Sequence, residues 1–428
     1  MKSSKKLRCL FLIFTAFTFF SSAFAAQETN IFSQRRDRLR RRLEIDAKAV
    51  LFSGVSSQLF DKNFFYLTGI KEPLSMLLSL PIEGDDFLFI PDVSNKAKLK
   101  TIARISGITQ ILPMKEFEDI FSYLYSWQNK IYFLRPSRPD DYGYNLIRRI
   151  MNRHPQFVLK DLAPILNGMR MVKSPEEIAL LNKAIGITAS GLVNAIRQSK
   201  PGLYEYEIQK TIEDTFMALG AEGTSFNSII GSGPNSVIIH YDQNTRMTEP
   251  GDLVVMDVGA EYSGYAGDLT RTMPISGKFT VRQREIYEIV LEAQRRAIEA
   301  CRPGITLNEI DRVAREFIEG LGYGAYFTHR IGHSLGLDVH DPWFNEATFV
   351  PGVVITIEPG IYIAAENLGV RIEDDVLITE FGGTSLSSSL PKEPEDIERL
   401  MQATLDRGAD QRILKRKEKT EPRDRIRR

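Results

Sequence analysis

The chain has 428 residues, 43% of them hydrophobic and 26% charged, an ordinary globular composition long enough for two hydrophobic cores. Lysines plus arginines and aspartates plus glutamates both number 55, so no global field draws the protein to nucleic acid.

Residues 1–25 carry Lys2, Lys5, Lys6 and Arg8, then an apolar run over 9–20, then Ser-Ser-Ala-Phe-Ala with Ala23 and Ala25 at the −3 and −1 positions of a cleavage site. This reads as a signal peptide, too short to span a bilayer, and predicts an exported protein, periplasmic or secreted, with no stable membrane anchor. Cys9 opens the apolar run far from the cleavage point, which argues against a lipid anchor there. Cleavage leaves Cys301 alone, so no intramolecular disulfide is expected.

Residues 27–165 alternate apolar strand-like runs (50–52, 75–80, 87–90 and 130–134) with helical stretches such as 94–105. A small α/β domain is predicted there. It holds one histidine, His154, and no cluster of acids, so it reads as a supporting domain. A boundary is expected near Met171, with a second domain over 172–405. Ser174-Pro175-Glu176-Glu177 is a capping box with proline at the first helical position, and the helix should run to about Ser199, where Lys200-Pro201-Gly202 stops it.

From this point the chain repeats itself. Pro201-Gly202, Glu207-Ile208 and Leu219-Gly220 recur 102 residues later as Pro303-Gly304, Glu309-Ile310 and Leu321-Gly322. Pro250-Gly251 before Val254-Val255-Met256-Asp257 recurs 101 residues later as Pro351-Gly352 before Ile355-Thr356-Ile357-Glu358. A helix precedes each Pro-Gly; the second, over 282–301, would bury Ile286, Ile289, Val290, Ala293 and Ala297 on one face. The second domain is therefore expected to be two related α+β halves, with the function between them.

Asp257 ends the buried apolar run 253–256, and turn-prone residues 259–267 return the chain to Asp268. A turn centred on Tyr262-Ser263 would set Asp257 opposite Asp268, their Cβ atoms about 5 Å apart. Glu358 and Glu373 correspond to them in the second half, opposed by a turn centred on Ala365-Glu366. Packing the halves face to face brings four carboxylates together, which protons or cations must neutralise. Divalent metals suit such an oxygen-rich set. The alternative is that the acids pair separately with arginines, and Arg371 lies two residues from Glu373 on the same strand face. Four of the five histidines, His240, His329, His333 and His340, fall in this domain, and His240 and His340 are 100 residues apart. One should ligate metal while the others position substrate or stabilise charge. Beyond the domain, residues 406–428 form a basic stretch expected to be a disordered tail.

These segments resemble the bacterial Xaa-Pro aminopeptidases (aminopeptidase P) of the pita-bread metallopeptidase family. The resemblance runs from Asn63-Phe-Phe-Tyr-Leu-Thr-Gly69 to Leu390-Pro-Lys392. Four segments carry it: Met256-Asp-Val-Gly-Ala-Glu-Tyr-Ser-Gly-Tyr-Ala-Gly-Asp-Leu-Thr-Arg-Thr272, His333-Ser-Leu-Gly-Leu-Asp-Val-His-Asp341, Thr356-Ile-Glu-Pro-Gly-Ile-Tyr362 and Gly369-Val-Arg-Ile-Glu-Asp-Asp375.

The resemblance implies a creatinase-like N-terminal α/β domain before a pita-bread domain. It further implies that Asp257, Asp268, His333, Glu358 and Glu373 hold two divalent metal ions, manganese first, with cobalt or zinc as alternatives. Asp268 and Glu373 would bridge the ions, and Glu358 would manage the proton of the attacking water. His240 and His340 would steady substrate and the tetrahedral intermediate, His329 would line the proline pocket, and Arg371 would act from behind the ligands. The substrates would be proline-containing peptides, and a homo-oligomer, dimer or tetramer, is implied. Arg330 stands where the family usually has glycine, and Pro342-Trp343 replaces a small or aliphatic pair; both are expected near the substrate pocket. The alternative enzyme is an Xaa-Pro dipeptidase (prolidase), and a non-catalytic pita-bread binding module would have lost ligands.

Overall fold

The apolar runs expected as strands in the first part of the chain pair into one mixed sheet. The computed structural model describes residues 30–402 except 57–59, 82–83, 124–127, 135–141 and 345. The expected signal peptide and basic tail lie outside the described residues. Strands β1 (Ala47–Phe52), β2 (Met76–Ser79), β3 (Asp86–Ile90), β4 (Gln110–Pro113), β5 (Lys130–Phe133) and β6 (Val158–Asp161) are ordered β4-β3-β2-β1-β5-β6. Strand β1 is buried along its whole length, antiparallel to β2 and parallel to β5. Its one charged residue, Lys48, donates to the Phe121 carbonyl at 3.0 Å and lies 4.3 Å from that ring's centre. Burial pulls its pKa down to about 8. The edge strands β4 and β6 escape a sequence reading because each has four residues of mixed polarity and no fully buried position.

The chain divides into two compact units between Lys160 and Asp161. The expected first domain ended at 165, so the observed division falls a few residues earlier. The reason is the helix Ala163–Arg170, whose last residue forms ion pairs with Asp338 and Asp341 and so belongs to the second unit.

In the second unit the duplication is visible in backbone detail. Gly202 and Gly304 sit at φ of 89° and 88°, a left-handed conformation that a side chain would strain. Gly202 donates to Thr248 O at 2.9 Å and Gly304 to Phe349 O at 2.8 Å. Just beyond, Tyr204 bridges Met247 and Thr306 bridges Thr348. The N–H groups of Tyr204 and Thr306 each donate to a glutamate three residues on, Glu207 and Glu309, both at 2.8 Å. Helix Pro175–Gln198 starts with the expected capping box and proline. Its counterpart Val281–Ala300 buries Ile286, Val290, Ala293 and Ala297 as expected, with Ile289 at the edge of the core.

The strands between the helices are short. They are β7 (Gly223–Thr224), β8 (Ile229–Ser232), β9 (Leu253–Val258), β10 (Ala260–Tyr262), β11 (Tyr265–Ala266) and β12 (Leu269–Pro274) in the first half. The second half has β13 (Val354–Ile357), β14 (Gly360–Ile363), β15 (Leu368–Arg371), β16 (Asp374–Thr379) and β17 (Gly382–Ser385). The hairpin β9–β12 answers to β13–β16, with β8 added beside β9 in the first and β17 beside β16 in the second, and β10–β11 and β14–β15 extend the two hairpins. This is an α+β domain of two related halves. Each half offers one long hairpin to the other.

Candidate metal centre

The first hairpin carries Asp257 and Asp268, but not opposite one another. Tyr262 pairs with Tyr265, and the two residues between them, Ser263 and Gly264, have φ of 50° and 81°. A two-residue turn with both central residues left-handed matches the twist of a hairpin. Centring the turn on Ser263-Gly264 rather than Tyr262-Ser263 sets Asp257 across from Thr270, and Asp268 becomes its diagonal neighbour on the same face. The chain closes here through two glycines: a Cβ on Gly259 would lie 2.0 Å from the Gly267 oxygen.

The second hairpin has the expected register. Ile357 pairs with Asp374 and Gly360 with Arg371, which sets Glu358 across from Glu373. The ladder opens between these pairs. The Glu358 N–H donates to Ile331 O at 2.8 Å, and the Glu373 N–H to Thr270 O at 3.1 Å. That second bond crosses between the halves. So do the bond from the Thr270 hydroxyl to Glu373 Oε2 at 2.7 Å and the two bonds between Thr272 Oγ1 and the Arg371 backbone. Hydroxyls on one hairpin thus dock the other.

His333 enters on an extended segment beside β13. Its backbone exchanges bonds with Thr356, and its ring Nδ1 lies 3.2 Å from the Ser334 carbonyl. That contact makes Nδ1 the donor and leaves the Nε2 lone pair facing the acids. Nε2 is 3.5 Å from Asp268 Oδ2 and from Glu358 Oε1. Burial, then the neighbouring His340, pulls the His333 pKa down to about 4, so the ring is neutral.

Asp257, Asp268, His333, Glu358 and Glu373 all line one cavity of about 540 Å³, together with His240 and His340. Donor atoms of Asp268, His333 and Glu373 lie within 4.8 Å of one another. Burial first, then like charge from the other acids, raises the carboxyls of Asp268 and Glu373 well above their ordinary range. Glu358 is pushed up to about 8, mainly by burial. Among the described residues, Arg371 pairs with Asp257 alone, at 2.6 Å, so the arginine alternative accounts for one acid of four. Asp257 Oδ1 remains buried without a protein partner. An oxygen-rich set with one neutral imidazole and more negative charge than the protein neutralises fits divalent cations.

The remaining expected residues divide. His240 and His340 reach the cavity, one from each half. His329 lies outside its lining: Nδ1 is 2.8 Å from Arg330 O, and Nε2 is 2.8 Å from the Tyr362 hydroxyl. Burial and then Arg371 pull the His329 pKa down to about 4. Arg371 Nη1 donates to the same Tyr362 oxygen at 2.9 Å, so a chain of bonds joins His329 to Asp257. Arg330 is exposed and donates to Asn308 at 2.6 Å. Trp343 packs on Phe349 and the apolar core, with ring centres 5.5 Å apart. Neither Arg330 nor Trp343 is among the residues that line this cavity. Tyr362, Thr270 and Thr356 carry no sequence cue beyond their places beside the acids.

The chain matches the model of metallopeptidase family M24 over residues 179–380. It is 34% identical to an Xaa-Pro aminopeptidase of Haemophilus influenzae over 86% of this chain and 96% of that one. It is 36% identical to an Xaa-Pro dipeptidase of Pyrococcus furiosus over 76% of this chain and 91% of that one. Among solved structures, proline aminopeptidase P II from Yersinia pestis superposes with a TM-score of 0.80 at 31% identity, covering 87% of this chain and 99% of that one.

Proposed function

The chain belongs to metallopeptidase family M24, and on that premise we propose that it is a dinuclear metal-dependent aminopeptidase releasing the N-terminal residue from peptides with proline in second position. Its second unit is the pita-bread domain, and the smaller α/β unit precedes it. The observation that carries the reading is the convergence of two carboxylates from each half, with His333, on one cavity. A non-catalytic module of this fold would have no need of all five.

Asp257, Asp268, His333, Glu358 and Glu373 would hold the ions, with Asp268 and Glu373 shared between them. Bound there, the ions supply Lewis-acid polarisation of the scissile carbonyl and a lowered pKa for water. The side chains do the rest. Glu358, lining the cavity beside His333, accepts a proton at its carboxylate from the attacking water and returns it to the proline nitrogen. His240 and His340 donate to the substrate and to the oxygen that becomes charged. His329, its ring fixed by Tyr362, bounds the proline side from behind the cavity lining. We take manganese as the metal, with cobalt or zinc able to replace it. A homo-oligomer and export to the periplasm or medium complete the proposal, the latter resting on the basic, apolar and Ala-x-Ala pattern of residues 1–25.

The likeness to a dipeptidase supports a second reading, cleavage of Xaa-Pro dipeptides alone. Residues beyond proline contribute binding energy to catalysis only in the aminopeptidase. The test compares an Xaa-Pro-Xaa tripeptide with its Xaa-Pro dipeptide in the presence of manganese, cobalt or zinc. A higher kcat/KM for the tripeptide supports the first reading. A dipeptide preference that Arg330→Gly reverses would give the second reading and its cause, a cation that captures the substrate carboxylate. Since Arg330 is engaged with Asn308, we expect Arg330→Gly to change the ratio little.

A further inference from the structure

Two buried cations lie just ahead of the family-matched region and bear on its cavity. Arg170, 3% exposed, ends the helix Ala163–Arg170, and Lys173 follows it. Both precede residue 179, where the family match begins. Arg170 Nη2 donates to Asp338 Oδ2 at 2.5 Å and to Asp341 Oδ1 at 2.6 Å. Lys173 Nζ is 3.2 Å from Asp341 Oδ2. The two acids flank His340, and Asp338 itself lines the cavity.

The segment that carries His340 is tied to neighbouring strands at Leu335, whose N–H donates to Val354 O at 3.1 Å, and at Gly336, whose O accepts from Ala266 N–H at 2.9 Å. From there to Asp341 it is held by short bonds of its own. Asp341 N–H donates to Ser334 O at 2.9 Å, Gly336 N–H to Asp338 O at 3.1 Å, and Asp338 N–H to Asp341 Oδ1 at 3.2 Å. His333, at the other end, is different: its backbone is fastened to Thr356 on β13. The two rings meet edge to face with centres 4.1 Å apart, so a small shift of the loop changes where His340 stands without detaching His333 from its strand.

We propose that Arg170 is a positioning residue for His340, clamping Asp338 and Asp341 so that the loop between them holds the imidazole in the cavity. A buried guanidinium nitrogen shared between two carboxylates holds geometry more tightly than a loop's own amides. A displacement of about 1 Å at a catalytic group costs up to about a hundredfold in rate. The clamp rests on the reading of the cavity as a peptidase site, in which His340 acts on the substrate.

The test uses Arg170→Lys, which keeps the charge and loses the planar guanidinium whose Nη2 reaches both acids, and Asp338→Asn, which removes the half-exposed acid and leaves the buried Asp341 with both cations. We expect kcat for an Xaa-Pro tripeptide to fall about tenfold per metal-loaded molecule, with KM changed less than about twofold. Metal content should stay at the wild-type level. The double variant should be no slower than the slower single one. In histidine-labelled protein the imidazole signals of His340, assigned with His340→Gln, should shift and broaden, those of its edge-to-face neighbour His333 less so, while those of His329, bonded to Tyr362, stay in place. Unchanged His340 signals and unchanged kcat in folded Arg170→Lys and Asp338→Asn would overturn the clamp. A wild-type protein that binds metal but cleaves no Xaa-Pro peptide would count against the peptidase reading instead, and the imidazole signals would still decide the clamp.

Discussion

Arg371 reaches across from the second hairpin to donate to Asp257 Oδ2 of the first at 2.6 Å, and the same guanidinium holds the Tyr362 oxygen at 2.9 Å. Tyr362 in turn lies 2.8 Å from His329 Nε2. The tyrosine hydroxyl is thus an acceptor for a buried arginine and a donor to a neutral histidine. Tyr362→Phe removes both bonds and keeps the ring. Leaving a buried donor and a buried acceptor unsatisfied costs about 1–3 kcal/mol, which urea unfolding of the mutant should register. Turnover should fall while metal content holds. A variant as stable and as active as wild type would show that the chain of bonds from His329 to Asp257 is idle.

Asp268 is the acid most involved with the others: it faces His333 at 3.5 Å and feels Glu373, Asp257, Asp375 and Glu358. Asp268→Asn should therefore lose bound metal and activity together. The fold should persist at moderate temperature, since no arginine or lysine is left without its partner. A metal-replete Asp268→Asn protein with full activity would sink the two-metal assignment.

The metal-free protein should lose stability as pH rises. The carboxyls of Asp268, Glu358 and Glu373 all have folded pKa values raised above those of the unfolded chain, Glu358 to about 8 against an ordinary 4.5. At these acids the folded state then holds more protons than the unfolded one, while His329 and His333, held down at about 4, oppose the trend up to their ordinary 6.5. Unfolding therefore becomes easier with pH most steeply between 6.5 and about 8. Below pH 4.5 these groups penalise nothing, and above about 8 the Glu358 contribution is spent. Melting temperatures of the chelator-treated protein from pH 5 to pH 9 should decline, and saturating manganese should flatten the curve. A metal-free protein that melts at the same temperature throughout, or higher at pH 9, would show that the acids do not share one charge-starved site.

Gly259 is where the first hairpin allows close backbone approach. A Cβ there would meet the Gly267 oxygen at 2.0 Å and the Ser225 hydroxyl at 2.1 Å. Because the first obstacle is backbone, Gly259→Ala must shift one strand against the other. We expect a loss of several kcal/mol, on the order of 3, with weaker metal binding because Asp257 and Asp268 move apart. Wild-type stability and metal affinity in this variant would mean that the loop yields without moving the acids.

What the sequence determined by itself is whatever local pattern encodes. Pro-Gly punctuation and helix caps exposed the duplication, since a left-handed glycine and a capping glutamate recur wherever the same backbone recurs. The apolar run before each acid marked β9 and β13. The length of the return loop also set the register of the second hairpin correctly. The first hairpin was read two residues out of register, because Ser263 gives little hint that it takes a left-handed φ beside Gly264.

Only the tertiary structure decided which groups meet across the halves. That β12 lies against β15, so that Thr270 holds Glu373 and Arg371 crosses to Asp257, follows from the docking of two hairpins. No period or spacing in either one encodes it. The same holds for His329, whose ring bonds to Tyr362 outside the lining of the metal cavity. It holds most of all for Arg170, which is 171 residues from the Asp341 it pairs with. A chain's local code fixes where a carboxylate sits along a strand. Packing of the strands fixes what it faces, because a buried charge must find its partner in space and not in sequence.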